Sequence, residues 1–333
     1  MGVTKATLGA PEIAGAFERG GVVGLGDSRV QNLRRLAASG STLPRALIRS
    51  PMPSEVDAVV RAAGTSLNTE TTVLDALGAS AKRHGTVHGV ILMTELGDLR
   101  EGVLPADVVD LALHAERLPH LRLVGIGANL ACQSGIAPDQ SKMDELSVLA
   151  ERVEEALGRR LEVISGGNSA NLGWALGAPQ VGRVNELRLG ESILLGVDPL
   201  LRLPIDGLHV DACVLAAEVI EVQVKPSRPW GTVGHSAFGV APLREGTGSR
   251  RQALVALGHQ DVAPAGVTPP PGYTVLGASS DHLVLDVGDE RVSVGDCLRF
   301  AVDYSALVRA MTSPFVAKDL RRTSRAVPST PPA

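Results

Sequence analysis

Hydrophobic positions along the chain follow two regimes. Through residue 196, short apolar runs at 2–5, 22–27, 45–49, 65–69, 88–95, 121–130, 161–165 and 186–195 are separated by longer amphipathic stretches. That alternation is the pattern of strand–helix units around a parallel sheet. Helix signals fill the gaps. Pro11 and Glu12 open one helix, Pro53, Ser54 and Glu55 a second, and Pro105, Ala106 and Asp107 a third, because proline is preorganised for a first helical turn. Residues 140–157 place Met143, Leu146, Val148, Leu149, Val153 and Leu157 at mostly helical spacing. Eight short, regularly spaced strands predict an α/β fold, a (β/α)8 TIM-type barrel over residues 1–196. An open doubly wound sheet is the alternative, although no Gly-x-Gly-x-x-Gly turn follows the first run.

Past residue 196 the regime changes. Runs at 208–224, 252–257, 273–276, 283–287 and 297–302, divided by glycine and proline turns, predict a mostly β C-terminal domain over 197–318. Residues 263–272 carry four prolines and read as a loop, and 319–333, with Pro328, Pro331 and Pro332, read as a disordered tail.

Composition narrows the function classes. A net charge of −4 with 44% hydrophobic and 20% charged residues argues against a disordered chain and against an electrostatic nucleic-acid binder. No apolar run reaches the ~18 residues of a membrane span, and the first residues lack the basic start and long apolar stretch of a signal peptide. Cys132, Cys213 and Cys297 are spaced for neither a disulfide framework nor a zinc site. A cytoplasmic protein without a bound metal is the expectation.

In a barrel of this kind chemistry gathers at the C-terminal ends of the strands. Those positions read Lys5, Asp27 with Ser28 and Arg29, Arg49, Asn68, Arg100, Asn129, Gly166 to Ser169, and Arg188 with Gly190. Turn chemistry accounts for the serines, asparagines and glycines; it accounts less well for a lysine and two arginines. A lysine crowded by other cations at an apolar mouth loses its proton more readily, and a neutral amine forms a Schiff base with an aldehyde. A flexible charged terminus is the other reading of Lys5. The stretch Ser165-Gly166-Gly167-Asn168-Ser169 offers close backbone approach and free N–H groups to a phosphate, or else simply caps a helix. Arg188-Leu189-Gly190-Glu191 provides a second such turn beside it.

The order and spacing of these segments resemble the alanine racemase family of pyridoxal 5'-phosphate (PLP) enzymes, and within it the ornithine racemase branch. The resemblance is carried by Val3-Thr4-Lys5-Ala6, Asp27-Ser28-Arg29 with Asn32-Leu33, Arg49 before Pro51-Met52, Ser66-Leu67-Asn68, Gly97 to Gly102, Ile164 to Ser169, Leu187 to Glu191, Gly258-His259-Gln260-Asp261-Val262, Gly277 to His282, and Met311 to Pro314. It implies a PLP-dependent amino acid racemase, working as a homodimer on ornithine, another basic amino acid or alanine. By the same resemblance Lys5 carries PLP, Arg188 bonds the pyridine nitrogen, and Arg100 lies near the phenolic oxygen. Asn168, Ser169, Gly190 and Glu191 hold the phosphate.

Racemisation by two bases needs a proton carrier on each face of the α-carbon. Lys5 covers one. The family's tyrosine of a Gly-Tyr motif is here His259, which makes His259 the candidate for the other, with Cys132 a weaker one. Asp27, Arg49, Asn129, Cys132 and Asp281 are the candidate substrate contacts. Asp27, Asp98 and Glu101 are the carboxylates available to a distal ammonium. The family also has a strand and a helix ahead of the lysine, where this sequence has four residues, so the expectation is a chain lacking that segment. Two alternatives stand beside racemase. One is a PLP-dependent D-amino acid lyase, for which His209-Val210-Asp211 is the nearest approach to a metal pair. The other is a truncated, inactive PLP-binding protein.

Overall fold

A computed structural model describes residues 1–240 and 246–321. The chain divides into two units, Met1–Leu208 and His209–Ala333. The division therefore falls after Leu208 and not after residue 196, because residues 197–208 fold back on the first unit. Val197 pairs with Pro204, and the Ile205 N–H donates to the Gly196 carbonyl at 2.8 Å.

The first unit is a parallel sheet of eight strands in sequential order. The strands are β1 Gly2–Val3, β2 Leu25–Asp27, β3 Arg45–Leu47, β4 Thr65–Asn68, β5 His88–Thr94, β6 Leu121–Ala128, β7 Val163–Gly167 and β8 Glu186–Leu187. The α-helices are α1 Pro11–Arg19, α2 Val30–Ala38, α3 Val56–Ala62, α4 Thr71–Arg83, α5 Val108–Glu116, α6 Gln140–Leu157, α7 Leu172–Gly177 and α8 Glu191–Leu195. The sheet closes on itself. Gly2 pairs in parallel with Leu189, the Val3 N–H donates to the Leu189 carbonyl at 2.7 Å, and the Leu189 N–H donates to the Met1 carbonyl at 2.9 Å. The expected barrel is the fold observed.

Strand alternation divides the barrel into an inner and an outer face. Leu67, Ile91, Met93 and Val124 pack together with Ile48 and Val163, all from strands or their ends, and fill the interior. Gly26 belongs to that inner face, since a Cβ there would meet the side chains of Met1 and Ile48. Met93 pairs with Gly127, Gly127 with Ser165, and Ser165 with Glu186. Ser165 and Glu186 therefore face inward, and so does Arg188 two residues on.

Two expectations are corrected here. The run at 186–195 is not one strand: β8 ends at Leu187, and Glu191–Leu195 is helix α8. Gly190 at φ −136°, ψ −68° breaks the extended path, and Gly196 at φ +67° ends the helix in the left-handed region. The strand at 2–5 stops at Val3, and Lys5 opens a 3₁₀ turn, Lys5–Thr7.

The second unit is built on a six-stranded antiparallel sheet. In chain order its segments are β9 Val214–Pro226, a small hairpin of β10 His235–Ser236 and β11 Gly239–Val240, β12 Ser249–Val255, β13 Val267–Thr268, β14 Thr274–Ala278, β15 Leu283–Asp286, β16 Cys297–Val302 and α9 Tyr304–Thr312. The sheet order is β13-β16-β9-β12-β15-β14. Phe300, Val219, Val255, Leu283 and Leu285 form the centre of its core. The stretch read as a loop at 263–272 holds a 3₁₀ turn and β13, since Val267 is drawn into this core beside β16. The expected disordered tail lies outside the described residues from 322 onward.

Candidate active site

Lys5 stands at the mouth of the barrel. Its side chain reaches the opening, so the residue as a whole is exposed, yet its amine is pushed below the ordinary lysine value. Loss of water contact is the largest cause. Nearby Arg100 and Arg188 push the same way, and Cys132 and Asp27 oppose them. The turn that presents Lys5 is pinned from beneath. The Thr4 N–H donates to the Gly26 carbonyl at 2.9 Å, and Thr4 Oγ1 donates to Asp27 Oδ2 at 2.8 Å.

Asp27 is a clasp for that turn and does not point into the mouth. Gly26 faces inward, so Asp27 faces the helix layer, where it is 0% exposed. Its Oδ1 accepts from the Arg29 N–H at 2.9 Å and from Asn32 Nδ2 at 3.0 Å. Burial pushes its carboxyl above the usual range, against the pull of these hydrogen bonds. The expectation that it receives a distal ammonium does not fit this placement.

Arg188 is 4% exposed on the inner wall. Its Nη1 donates to Ser165 Oγ, and its Nη2 donates to the Ala128 carbonyl at 2.8 Å and to Asn129 Oδ1 at 3.4 Å. Burial lowers its hold on its proton, with Glu186, Glu101 and Cys132 working the other way. Asn129 also accepts from Asn168 Nδ2 at 3.0 Å. Both acceptor bonds fix which amide atom is oxygen, and the remaining Nδ2 is buried without a partner.

Arg100 forks onto Glu101, with Nη2 to Oε1 at 2.6 Å. Burial works against its charge, but the Glu101 bond and the neighbouring Cys132 hold it above the ordinary arginine value. Cys132 is exposed and accepts from Asn168 Nδ2 at 3.3 Å. Its loop is held by Asp98, which accepts from the N–H groups of Cys132, Gln133 and Ser134 at 3.2, 3.0 and 3.0 Å. Asp98 and Glu101 are thus engaged with the Cys132 loop and Arg100 and are not free carboxylates.

The two glycine turns meet at Ser169. Its Oγ accepts from the Gly190 N–H and from the Ser192 N–H, each at 3.1 Å, and from Ser192 Oγ at 3.1 Å. Asn168 caps this turn, accepting from the Ala170 N–H at 2.8 Å. Gly190 sits close against β1: a Cβ there would lie 3.2 Å from both the Cβ and the carbonyl oxygen of Val3. Glu191 turns outward to accept from Arg202 Nη1 at 2.7 Å.

The structure thus gathers Lys5, Arg100, Asn129, Cys132, Asn168, Ser169, Arg188 and Gly190 at one end of the barrel. Arg49 sits past β3 and donates to Glu55 Oε2 at 3.2 Å. His259 and Asp281 belong to the second unit. The His259 ring stacks on Phe238 with centroids 3.9 Å apart, its N–H donates to the Ser279 carbonyl at 3.0 Å, and its carbonyl accepts from Arg309 Nη2 at 2.8 Å. Asp281 accepts from Gln260 Nε2 at 2.6 Å. His209 and Asp211 are exposed, and among the described residues no group of three or more His, Cys, Asp or Glu side chains is placed to hold a metal ion. Glu186 and Ser192 were not read from the sequence, and Ser165, read as the start of a phosphate turn, instead meets Arg188 and Glu186 through its hydroxyl. The signal for that placement was the alternation of Ser165 with Val163, which turns both to the same face.

Comparison with known proteins shows the family and the fold. The family model described as alanine racemase, N-terminal domain, matches residues 1–199. A lysine racemase of Thermotoga maritima is 40% identical over 324 residues, 96% of this chain and 90% of that protein. An ornithine racemase of Acetoanaerobium sticklandii is 37% identical over 298 residues, 88% of this chain and 84% of that protein. Among solved structures, the alanine racemase of Streptomyces coelicolor A3(2) shares the fold with a TM-score of 0.71 at 21% identity, over 94% of this chain and 89% of that one. Barrel, β unit and lysine-centred mouth, together with these relatives, define an amino acid racemase, an isomerase. Within that class the chain belongs to the alanine racemase family. No helix among the described residues is long and apolar enough to cross a membrane.

Proposed function

We propose that this racemase uses PLP and acts on a basic amino acid, lysine or ornithine. The observation that carries the cofactor reading is the convergence of Lys5, Arg100 and Arg188 with the donors that meet at Ser169. The residues present suit the group. The N–H groups of Gly190 and Ser192 and two serine hydroxyls can turn to a phosphate. The unpartnered Nδ2 of Asn129 is a buried donor of the kind a bound acceptor satisfies. Arg188 would face the ring nitrogen and Arg100 the phenolic oxygen. Bound there, PLP supplies an electron-poor ring that takes up the electron pair left when the α-proton departs.

The protein's own part is to hold and move protons. Lys5 Nζ, held below its ordinary value by burial and by two arginines, gives up its proton more readily than a free lysine and so can take the α-proton as a base and return one as an acid. Arg188 offers only N–H donors and has no lone pair to accept a proton, so it leaves a ring nitrogen unprotonated. In this reading His259 carries the second proton, and Cys132 is its rival within the barrel. The choice of a basic amino acid rests on the two racemases, since Asp27, Asp98 and Glu101 are engaged elsewhere. The reading also makes the enzyme a homodimer, which light scattering checks.

The test begins with purified protein and added PLP, where a visible absorption band is expected and Lys5→Ala removes it. L-Lysine and L-ornithine are then supplied separately and the D-enantiomers measured by chiral chromatography. A band without either product overturns the substrate class; no band overturns the cofactor.

A further inference from the structure

Glu186, Ser165 and Arg188 form a line along the inner face of β7 and β8. Ser165 Oγ donates to Glu186 Oε1 at 2.8 Å and accepts from Arg188 Nη1. A hydroxyl has one proton. That proton is committed to the carboxylate, so the lone pairs of Ser165 are what Arg188 meets. Arg188 itself makes no ion pair within 4 Å among the described residues; its remaining partners are the Ala128 carbonyl and Asn129 Oδ1. Glu186, Glu101 and Cys132 are the groups whose charge favours its own, and Arg100 opposes it. The charge of Glu186 also favours the Met1 ammonium, which donates to the Leu187 carbonyl at 2.9 Å.

We propose that Glu186 is a positioning residue that acts on Arg188 through Ser165. It orients the serine proton away from the guanidinium, so that Arg188 is held on the inner wall by an acceptor on one side and keeps its opposite edge for the PLP ring. The proposal rests on Arg188 being the partner of the ring nitrogen. A buried guanidinium bonded through a hydroxyl to a carboxylate is held more firmly than one bonded to a neutral chain.

The test reads PLP binding as well as turnover. Glu186→Gln removes the charge, Ser165→Ala removes the relay, and Ser165→Thr keeps the hydroxyl. Expected for the first two are roughly tenfold weaker PLP affinity and a shifted visible band, with kcat lowered more than KM. Ser165→Thr is expected to keep the wild-type band. Circular dichroism checks the fold of each; if Glu186→Gln does not fold, the Ala and Thr variants at 165 carry the test, since both leave Glu186 in place. Wild-type affinity and spectrum in Ser165→Ala overturn the relay. Equal losses in Ser165→Ala and Ser165→Thr overturn it as well, pointing to packing alone. A wild-type protein that binds no PLP fails at the cofactor reading instead.

Discussion

An exposed thiol stands at the barrel mouth. Cys132 is exposed, accepts from Asn168 Nδ2, and lies close enough to Lys5 and Arg100 to influence both. A thiol-directed reagent is therefore expected to inactivate the enzyme, with PLP present slowing the loss and Cys132→Ser resisting it. Residual activity against time makes the comparison, and Cys213 and Cys297 remain in both proteins as internal controls. Equal rates in the two proteins would place the sensitive thiol elsewhere. Asp27 shows where single residues escaped reading. Its place at a strand end was legible, but its direction was not. A three-residue strand gives alternation too little length to fix its parity, and a one-residue shift sends every side chain to the opposite face. Lys5, Arg100 and Arg188 were legible because cations at a barrel mouth are costly and turn chemistry does not require them.

Longer elements carried their own boundaries. Helix α6, read from apolar spacing as 140–157, is Gln140–Leu157, capped by the Asp139 carboxylate on the Lys142 N–H at 2.9 Å and ended by Gly158 at φ +66°. Strand β8, two residues long, was overrun by the apolar Ile193-Leu194-Leu195 of the next helix. Helix α9 went unread inside a run of strands, although Asp303 before Tyr304 is an ordinary cap and accepts from the Ala306 N–H at 2.8 Å. Turns are where glycines decide an element. At Gly258 a Cβ would lie 2.2 Å from the Ser280 carbonyl oxygen and 2.4 Å from the Asp281 nitrogen. Both are backbone atoms, fixed by the bonds of the His259 and Gln260 N–H groups to Ser279 and Ser280. Gly258→Ala is expected to destabilise the second unit by about 3 kcal/mol, read as a lower denaturant midpoint in circular dichroism. An unchanged midpoint would mean that this turn yields easily.

Across the whole molecule, acid stability is set by buried groups that refuse or retain protons, and the two act in opposite senses. His88, at the start of β5, is 1% exposed and lies 2.8 Å from Ser66 Oγ. Burial lowers its pKa from 6.5 to about 4, against a backbone hydrogen bond that raises it. Between those values the unfolded chain binds a proton that the native histidine does not, so stability falls as pH drops from about 6.5 to about 4. The full difference is about 3 kcal/mol. Asp27, held above its ordinary value by burial, retains its proton more firmly when folded and so partly offsets this loss as the solution becomes acid. Both residues belong to the first unit. The two tryptophans separate the units: Trp174 lies in α7 and bonds Gln140 Oε1 at 3.1 Å, and Trp230, 83% exposed, lies in the second unit. In a Trp230→Phe background, emission follows the barrel alone. Its denaturant midpoint is expected to fall between pH 6.5 and 4, and His88→Asn is expected to flatten that fall while lowering the midpoint at pH 7 by its lost packing. The slope is the diagnostic quantity, since a purely structural histidine would change the level and leave the slope untouched. A parallel pair of curves for the two proteins would remove His88 from the account of acid unfolding.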